Sequence, residues 1–220
     1  MSKQTPGLPE GIELGDPRPI AAENPYTFFL PDPADVERVE PGDLIKAIFR
    51  EKAGGRKYDG ERMWVLVDRI DDGILHGILD NEPHDMPLIA RGDKVSVPIT
   101  HVISVQFDDP AKAPPSAQPD DYFERCFVDA CVVEGRSRAV YLYRENSDMT
   151  REGDPAPDSG WRIRGTQAAI DEDAKLGAEP MYIALAKVLN ADDRWLHLIE
   201  APIGSTFQWD DDLQSYSDAK

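Results

Sequence analysis

Residues 108–121, with the sequence DDPAKAPPSAQPDD, divide the chain into two parts. Four prolines and four aspartates leave almost no apolar side chain in this stretch, which is typical of an extended connector. The blocks on either side, 25–107 and 122–211, each have the length of a small domain. We therefore expect two domains joined by this linker. A mobile arm rich in Pro and Gly is expected to precede them over 1–24, and a short tail to follow over 212–220.

The first block has the pattern of an antiparallel β-sheet. Its most regular part is MWVLVD at 63–68, which is followed by the turn sequence Asp71-Asp72-Gly73 and a second apolar run at 74–80. An Asp-Gly turn between two such runs predicts a β-hairpin. Further short apolar runs before the linker predict a small antiparallel sheet or a partly open barrel. Trp64, in the first strand of the hairpin, is expected to lie in the core.

The second block mixes strand and helix patterns. Residues 126–133 and 139–143 predict two strands, and 165–176 predicts a helical segment rich in acidic residues. The run MYIALAKVLN at 181–190 has apolar residues at helical spacing, and 204–209 predicts a closing strand. The fold class predicted for the whole chain is therefore α+β.

The charge of the chain is strongly negative. Of its 220 residues, 24 are Lys or Arg and 42 are Asp or Glu, which gives a formal net charge of −18 at pH 7. Such a surface repels nucleic-acid phosphates and anionic membranes, so we expect neither as a partner, whereas a basic protein would be attracted. The alternative explanation is that the high net charge only keeps the protein soluble. There is no apolar run of the kind a signal peptide or membrane span needs, and two cysteines are no disulfide framework, so we expect a cytoplasmic protein.

The cluster that most resembles an active site is DNEPHD at Asp80–Asp85. Carboxylates near a histidine can hold a metal ion or share a proton, so a small metal-dependent hydrolase is one interpretation. However, the run follows a strand, contains the Asn and Pro that a turn requires, and has no zinc-ligand spacing. The chain also has no nucleophile elbow, P-loop or dinucleotide-binding glycine pattern. We therefore expect no catalytic residue, no metal and no cofactor.

Trp161 leaves two interpretations open. It follows a long polar loop, where a tryptophan either fills the core or, if exposed, provides a strong contact with a partner.

Three motifs in the second block carry a family resemblance: CFVDACVVEGRSRAVYLYRE at 126–145, DSGW at 158–161 and APIGSTF at 201–207. Through them, residues 124–211 resemble a bacterial family of predicted immunity proteins from polymorphic toxin systems, the immunity protein thirty-three family. The resemblance implies an α+β domain with a characteristic Trp and a Gly-Ser motif. These features match Trp161, Gly204 and Ser205. The family's Gly-Asp-Glu turn after the Trp is replaced here by RIRGTQAAIDED, so no contact role is inferred for that turn.

The first block resembles a second bacterial domain family, one of unknown function. Its motifs here are PGDLIK at 41–46, ERMWV at 61–65, LDNEP at 79–83 and GDKV at 92–95. The resemblance supplies no catalytic residue.

The resemblance of the second block implies an immunity protein that binds and neutralises a toxin. Together with the negative charge and the missing catalytic motifs, it favours a non-catalytic, acidic interaction protein whose partner has a basic face. A housekeeping binding or adaptor protein is the alternative, and the oligomeric state is left open. For partner contact the candidates are Trp161, Asp158, Asp171, Glu172 and Asp173. For a role in the fold they are Trp64, Gly204 and Ser205.

Overall fold

The chain folds around two separate β-sheets, one in each of two units. The computed structural model describes residues 7–52, 57–58, 60–113 and 121–219. Of these, the N-terminal unit holds 7–23 and 28–113, and the C-terminal unit holds 24–27 and 121–219. The two sheets and their helices give the α+β class that the sequence predicts.

The N-terminal unit is an antiparallel sheet with two short helices. The sheet has the order β1-β2-β3-β4-β5, and β6 pairs with β2 on the edge that β1 also uses. The elements are β1 (Ile12–Gly15), α1 (Pro17–Glu23), α2 (Pro33–Glu37), β2 (Leu44–Glu51), β3 (Glu61–Asp71), β4 (Ile74–Leu79), β5 (Lys94–Pro98) and β6 (Ser104–Gln106). The predicted hairpin is confirmed: Asp72 and Gly73 join β3 to β4, with φ angles of 47° and 73°. Positive φ at both positions gives a turn twist that suits paired strands.

The prediction that Trp64 lies in the core is wrong. Its neighbours Met63 and Val65 point into the core, and because side chains alternate along a strand, Trp64 points to the opposite face of the sheet. It is half-buried there, with the Lys46 ammonium 4.2 Å from the ring centroid. Across the same face, Leu44 and Leu66 pair in neighbouring strands.

The prediction of an arm without regular structure fails for residues 12–23. Strand β1 pairs with β2, and Ile12 is fully buried in the core, so long-range pairing orders a segment whose local sequence favours no regular structure. Helix α1 follows directly. Residues 1–6 of the predicted arm lie outside the described residues, as do 114–120 of the predicted linker.

The C-terminal unit has a mixed sheet of order β10-β7-β9-β8-β11-β12, in which β7 and β9 are parallel and the other pairs antiparallel. Its elements are β7 (Arg125–Val128), α3 (Ala130–Val133), β8 (Tyr141–Arg144), β9 (Asp158–Arg164), α4 (Gln167–Leu176), β10 (Met181–Ala184), α5 (Leu185–Ala191), β11 (Thr206–Asp210) and β12 (Ser215–Asp218). Three short 3₁₀ turns, Ile99–His101, Pro110–Lys112 and Leu196–Leu198, complete the described elements of the two units.

The helices pack on one face of this sheet. Buried residues of α3 and α5 share a core cluster with Trp161 and Leu142 of the sheet. Helix α4 begins after Thr166, whose side chain accepts the N–H of Ala169, and ends at Gly177 with φ 70°. The other face of the sheet carries no helix of this unit, as far as the described residues go.

Three predicted elements of the C-terminal block are corrected by the structure. The strand predicted over 126–133 ends at Val128, and the helix predicted over 181–190 starts only at Leu185. Residues 181–184 instead form β10, because their backbone groups pair with the edge of β7. The predicted tail over 212–220 contains β12, which pairs with β11, so β11 does not close the sheet. None of the helices in the described ranges has the length and apolar character that crossing a bilayer requires.

Candidate functional site

Trp161 lies in the core of the C-terminal unit. Its side chain is fully buried, and its ring centroid is 5.7 Å from that of Trp195. Its Nε1–H donates a hydrogen bond of 3.1 Å to the carbonyl oxygen of Ile199. Of the two interpretations left open for this residue, the structure shows the core role. Contact between this ring and a partner would require the domain to open.

Asp158, also expected at the partner surface, is a buried structural residue. Its carboxylate accepts hydrogen bonds of 2.9 and 3.0 Å from the Arg162 guanidinium and one of 3.0 Å from the N–H of Gly160. Burial raises the pKa of the Asp158 carboxyl, but these hydrogen bonds outweigh burial, and its pKa is lowered overall. The carboxylate therefore stays ionised inside the domain and fixes the start of β9.

The three acidic residues predicted for partner contact in α4 differ in their exposure. Asp173 is buried and accepts hydrogen bonds from the Cys131 N–H at 3.0 Å and from the Arg136 guanidinium. The hydrogen bond from Arg136 is the largest cause of its lowered pKa. Asp171 and Glu172 remain exposed. These two are thus the accessible members of the predicted contact set.

The Gly-Ser motif shapes the entry into β11. Gly204 has φ 93°, and its N–H donates to the carbonyl oxygen of Arg144 at 2.7 Å. The carbonyl oxygen of Ser205 accepts a hydrogen bond of 3.0 Å from the N–H of Arg144, so backbone hydrogen bonds connect the Gly-Ser motif to the end of β8. No atom lies within 4 Å of a Cβ placed on Gly204. The backbone angle, and not crowding, therefore favours glycine here.

Residues of the Asp80–Asp85 cluster contact their own loop and the segment before β3. Asp80 forms an ion pair of 2.8 Å with Arg91, and Asp85 accepts the N–H of Tyr58 at 3.0 Å. Throughout the described ranges, no group of three or more His, Cys, Asp or Glu side chains is placed to hold a metal ion. The metal-dependent hydrolase thus gains no support from the geometry.

The open face of the C-terminal sheet was not predicted from the sequence. Across β10, β7, β9 and β8, the residues paired in one row are Tyr182, Phe127, Arg162 and Tyr143. The neighbouring row pairs Arg164 with Tyr141. We call these six residues the aromatic–arginine face. Phe127 and Tyr182 lie 4.9 Å apart between ring centroids, and the Arg162 guanidinium carbon is 5.1 Å from the Phe127 centroid.

A signal for this face was present in the sequence. YLY at 141–143 and WRIR at 161–164 alternate apolar core residues with Tyr or Arg. In a strand that alternation places the Tyr and Arg side chains on one side.

A cleft of about 700 Å³ lies over this face. Arg162 is on its floor, only 5% exposed, and Phe127 and Tyr143 contribute aromatic walls. Glu145, just after β8, and Asp148, in the following loop, form one part of the lining, and Glu179, just before β10, forms another.

The positive charges of the cleft are already paired. The Arg162 Nε donates to Glu145 at 2.5 Å, and its other nitrogens bind Asp158 and approach Asp148 at 3.6 Å. The hydrogen bonds to Asp158 are the largest cause of the raised pKa of Arg162, which therefore stays charged. Arg164 donates to the buried Asp129 at 2.7 Å. The lining holds four carboxylates against two guanidinium groups, which leaves an excess of negative charge.

Comparison with known families agrees with the two resemblances. Residues 126–218, which include most of the C-terminal unit and the cleft, match the family described as the immunity protein Imm33 domain. Residues 29–108 match the family described as an uncharacterized protein conserved in bacteria (DUF2314). Both family assignments made from the sequence are thus confirmed. No curated protein and no solved structure matches the chain.

Proposed function

We propose that this chain is an interaction protein that binds and neutralises a protein toxin through its C-terminal domain. The observation that carries this proposal is the match of residues 126–218 to an immunity protein domain. Neutralisation by binding requires a stable surface that is complementary to the toxin, and it requires no reactive group in the domain.

The aromatic–arginine face is the surface that best fits such a role. The cores of protein interfaces are enriched in Tyr, Phe and Arg, and a few such residues usually carry most of the binding energy. In this chain Tyr141 and Tyr143 are half-buried on a face that no helix of the unit covers in the described residues. Their rings, 5.7 Å apart between centroids, present a rigid contact area.

The exposed acids of α4 lie on the other side of the sheet. Ala169 of α4 packs in the same core cluster as Trp161, which places this helix opposite the aromatic–arginine face. A toxin bound to the open face would therefore leave Asp171 and Glu172 free. The net charge of −18 would then act through long-range steering of a basic partner and not through direct contact at α4.

Co-expression with the protein encoded by the adjacent gene tests the proposed function. We expect a complex that survives gel filtration at low salt and restores growth of cells that express the partner. The absence of both a complex and growth rescue would contradict the proposal.

Two variants then test whether the toxin binds the aromatic–arginine face or helix α4. Y143A should weaken the complex because it removes a ring from the open face, whereas D171N/E172Q should leave the complex intact. The reverse pattern would assign the interface to α4.

A further inference from the structure

We propose that the cleft over the aromatic–arginine face receives an arginine or lysine side chain of the partner. This inference rests on the proposed function for the identity of the partner. The preference for a basic side chain is argued from the residues that line the cleft.

Most of the accessible charge in the cleft is negative. The side chains of Glu145 and Asp148 are 48% and 78% exposed, whereas that of Arg162 is 6% exposed. Glu179 is exposed as well and forms no ion pair within the described part of the chain. A charged group that enters from solvent therefore meets more carboxylates than guanidinium groups, and it meets the carboxylates before Arg162.

An anionic ligand is disfavoured by the same arrangement. To bind Arg162 it would have to displace Asp158 or Glu145, both within hydrogen-bond distance of the guanidinium. Arg164 is 41% exposed, but its ion pair with the buried Asp129 is neutral as a whole. No unpaired positive charge in the cleft lining is left to recruit an anion.

The walls of the cleft also suit a cation. Phe127 and Tyr143 line it, and aromatic faces attract guanidinium and ammonium groups. The packing of Arg162 over the Phe127 ring shows that such a contact already forms in this domain. A volume of about 700 Å³ accommodates a basic side chain together with part of the backbone that carries it.

Blocked tripeptides test the proposal on the full-length chain. The probes are acetyl-Gly-Arg-Gly-amide, its Lys counterpart and its Glu counterpart, titrated into the ¹⁵N-labelled protein and followed by NMR. We expect Arg and Lys peptides to shift resonances of residues that line the cleft, with weak, saturable binding, and the Glu peptide to cause no such shifts. Shifts from the Glu peptide equal to those from the Arg peptide, or shifts scattered over both units, would overturn the proposal.

A matched pair of charge variants provides the control. D148N/E179Q removes two exposed carboxylates from the cleft and should weaken binding of the Arg peptide about fivefold, the effect of two screened charge contacts. D171N/E172Q removes the same charge from α4 and should leave binding unchanged. Equal affinities of the two variants would refute a specific role for the cleft.

The two proposals fail in distinguishable ways. If the Arg peptide does not bind but the adjacent-gene product is still neutralised, the cation cleft is wrong and the proposed function stands. If the peptide binds in the cleft but no complex forms with that product, the proposed function is wrong and the cleft chemistry stands.

Discussion

Replacing Arg162 by methionine should strongly destabilise the C-terminal unit. The Arg162 side chain is 6% exposed and its partner Asp158 is fully buried, with hydrogen bonds of 2.9 and 3.0 Å between them. Methionine fills similar volume but leaves the Asp158 carboxylate without a counter-charge. Breaking one side of a buried ion pair costs about 3–5 kcal/mol, which is a large part of the stability of a small domain.

The matched control is R138M, which breaks an exposed pair in the same unit. Arg138 and Asp211 are 2.9 Å apart, but their side chains are 40% and 81% exposed, so the expected cost is below about 1 kcal/mol. The double variant D158N/R162M should recover part of the loss, because a neutral amide is less costly to bury than an unpaired carboxylate.

Urea unfolding at pH 7, followed by tryptophan fluorescence, measures these costs. Trp161 and Trp195 lie in the core of the C-terminal unit and report its transition, which is fitted separately because a two-unit chain need not unfold in one step. A cost for R162M as small as that for R138M would refute the reasoning that the buried ion pair is structural.

Three further predictions concern the same unit and use the same unfolding assay. G204A should lower the free energy of unfolding by about 1 kcal/mol, because of the positive φ at this position alone. G160A should lower it by about 2–4 kcal/mol, because a Cβ there would lie 2.2 Å from the Glu145 carbonyl oxygen. Equal losses for the two variants would contradict this. W161F should cost about 1 kcal/mol more than W195F, since the Trp161 Nε1 donates a hydrogen bond and the buried Trp195 Nε1 has no partner among the described residues; a larger cost for W195F would argue against it. Because the pKa of Asp173 is lowered in the folded state, its contribution is complete above the unfolded value of about 4 and is lost as the pH falls through the folded value. The stability difference between wild type and D173N should therefore shrink as the pH is lowered from 7 to 3, and a difference that grows would show the opposite sign.

The hairpin illustrates what local sequence predicts well. An Asp-Gly turn with positive φ at both residues joins the two strands of the N-terminal hairpin, as its local conformational preference dictates. Residue 113 belongs to the N-terminal unit and residue 121 to the C-terminal unit, so the division into two parts agrees with the sequence, whereas the linker itself stays a prediction. The alternation of side chains along β3 also indicated on which face of the sheet Trp64 lies, because its neighbours Met63 and Val65 are core residues and point to the other face.

The edge strands were missed because pairing with a distant strand decides them. Residues 181–184 have apolar spacing compatible with a helix, yet the unpaired edge of β7 binds them as β10. Strand β1 was missed for the same reason, since its partner β2 lies more than thirty residues away in the chain. Intrinsic preferences are small, and a set of backbone hydrogen bonds to a sheet edge overrides them.

The sequence by itself determined the two-part division, the α+β class, the negative charge and the family resemblance of each part. All of these depend on composition, on short-range patterns or on motifs that are contiguous in the chain. Only the tertiary structure decided which acids are structural and which are accessible. Asp158 and Asp173 became internal partners of Arg162 and Arg136, and side chains from four separate strands were brought into one aromatic–arginine face. The physical reason is that the role of a charge depends on its burial and on its nearest counter-charge. Burial of both acids depends on packing between segments distant in sequence, and so does the Asp173–Arg136 pair, whereas Arg162 is only four residues from Asp158.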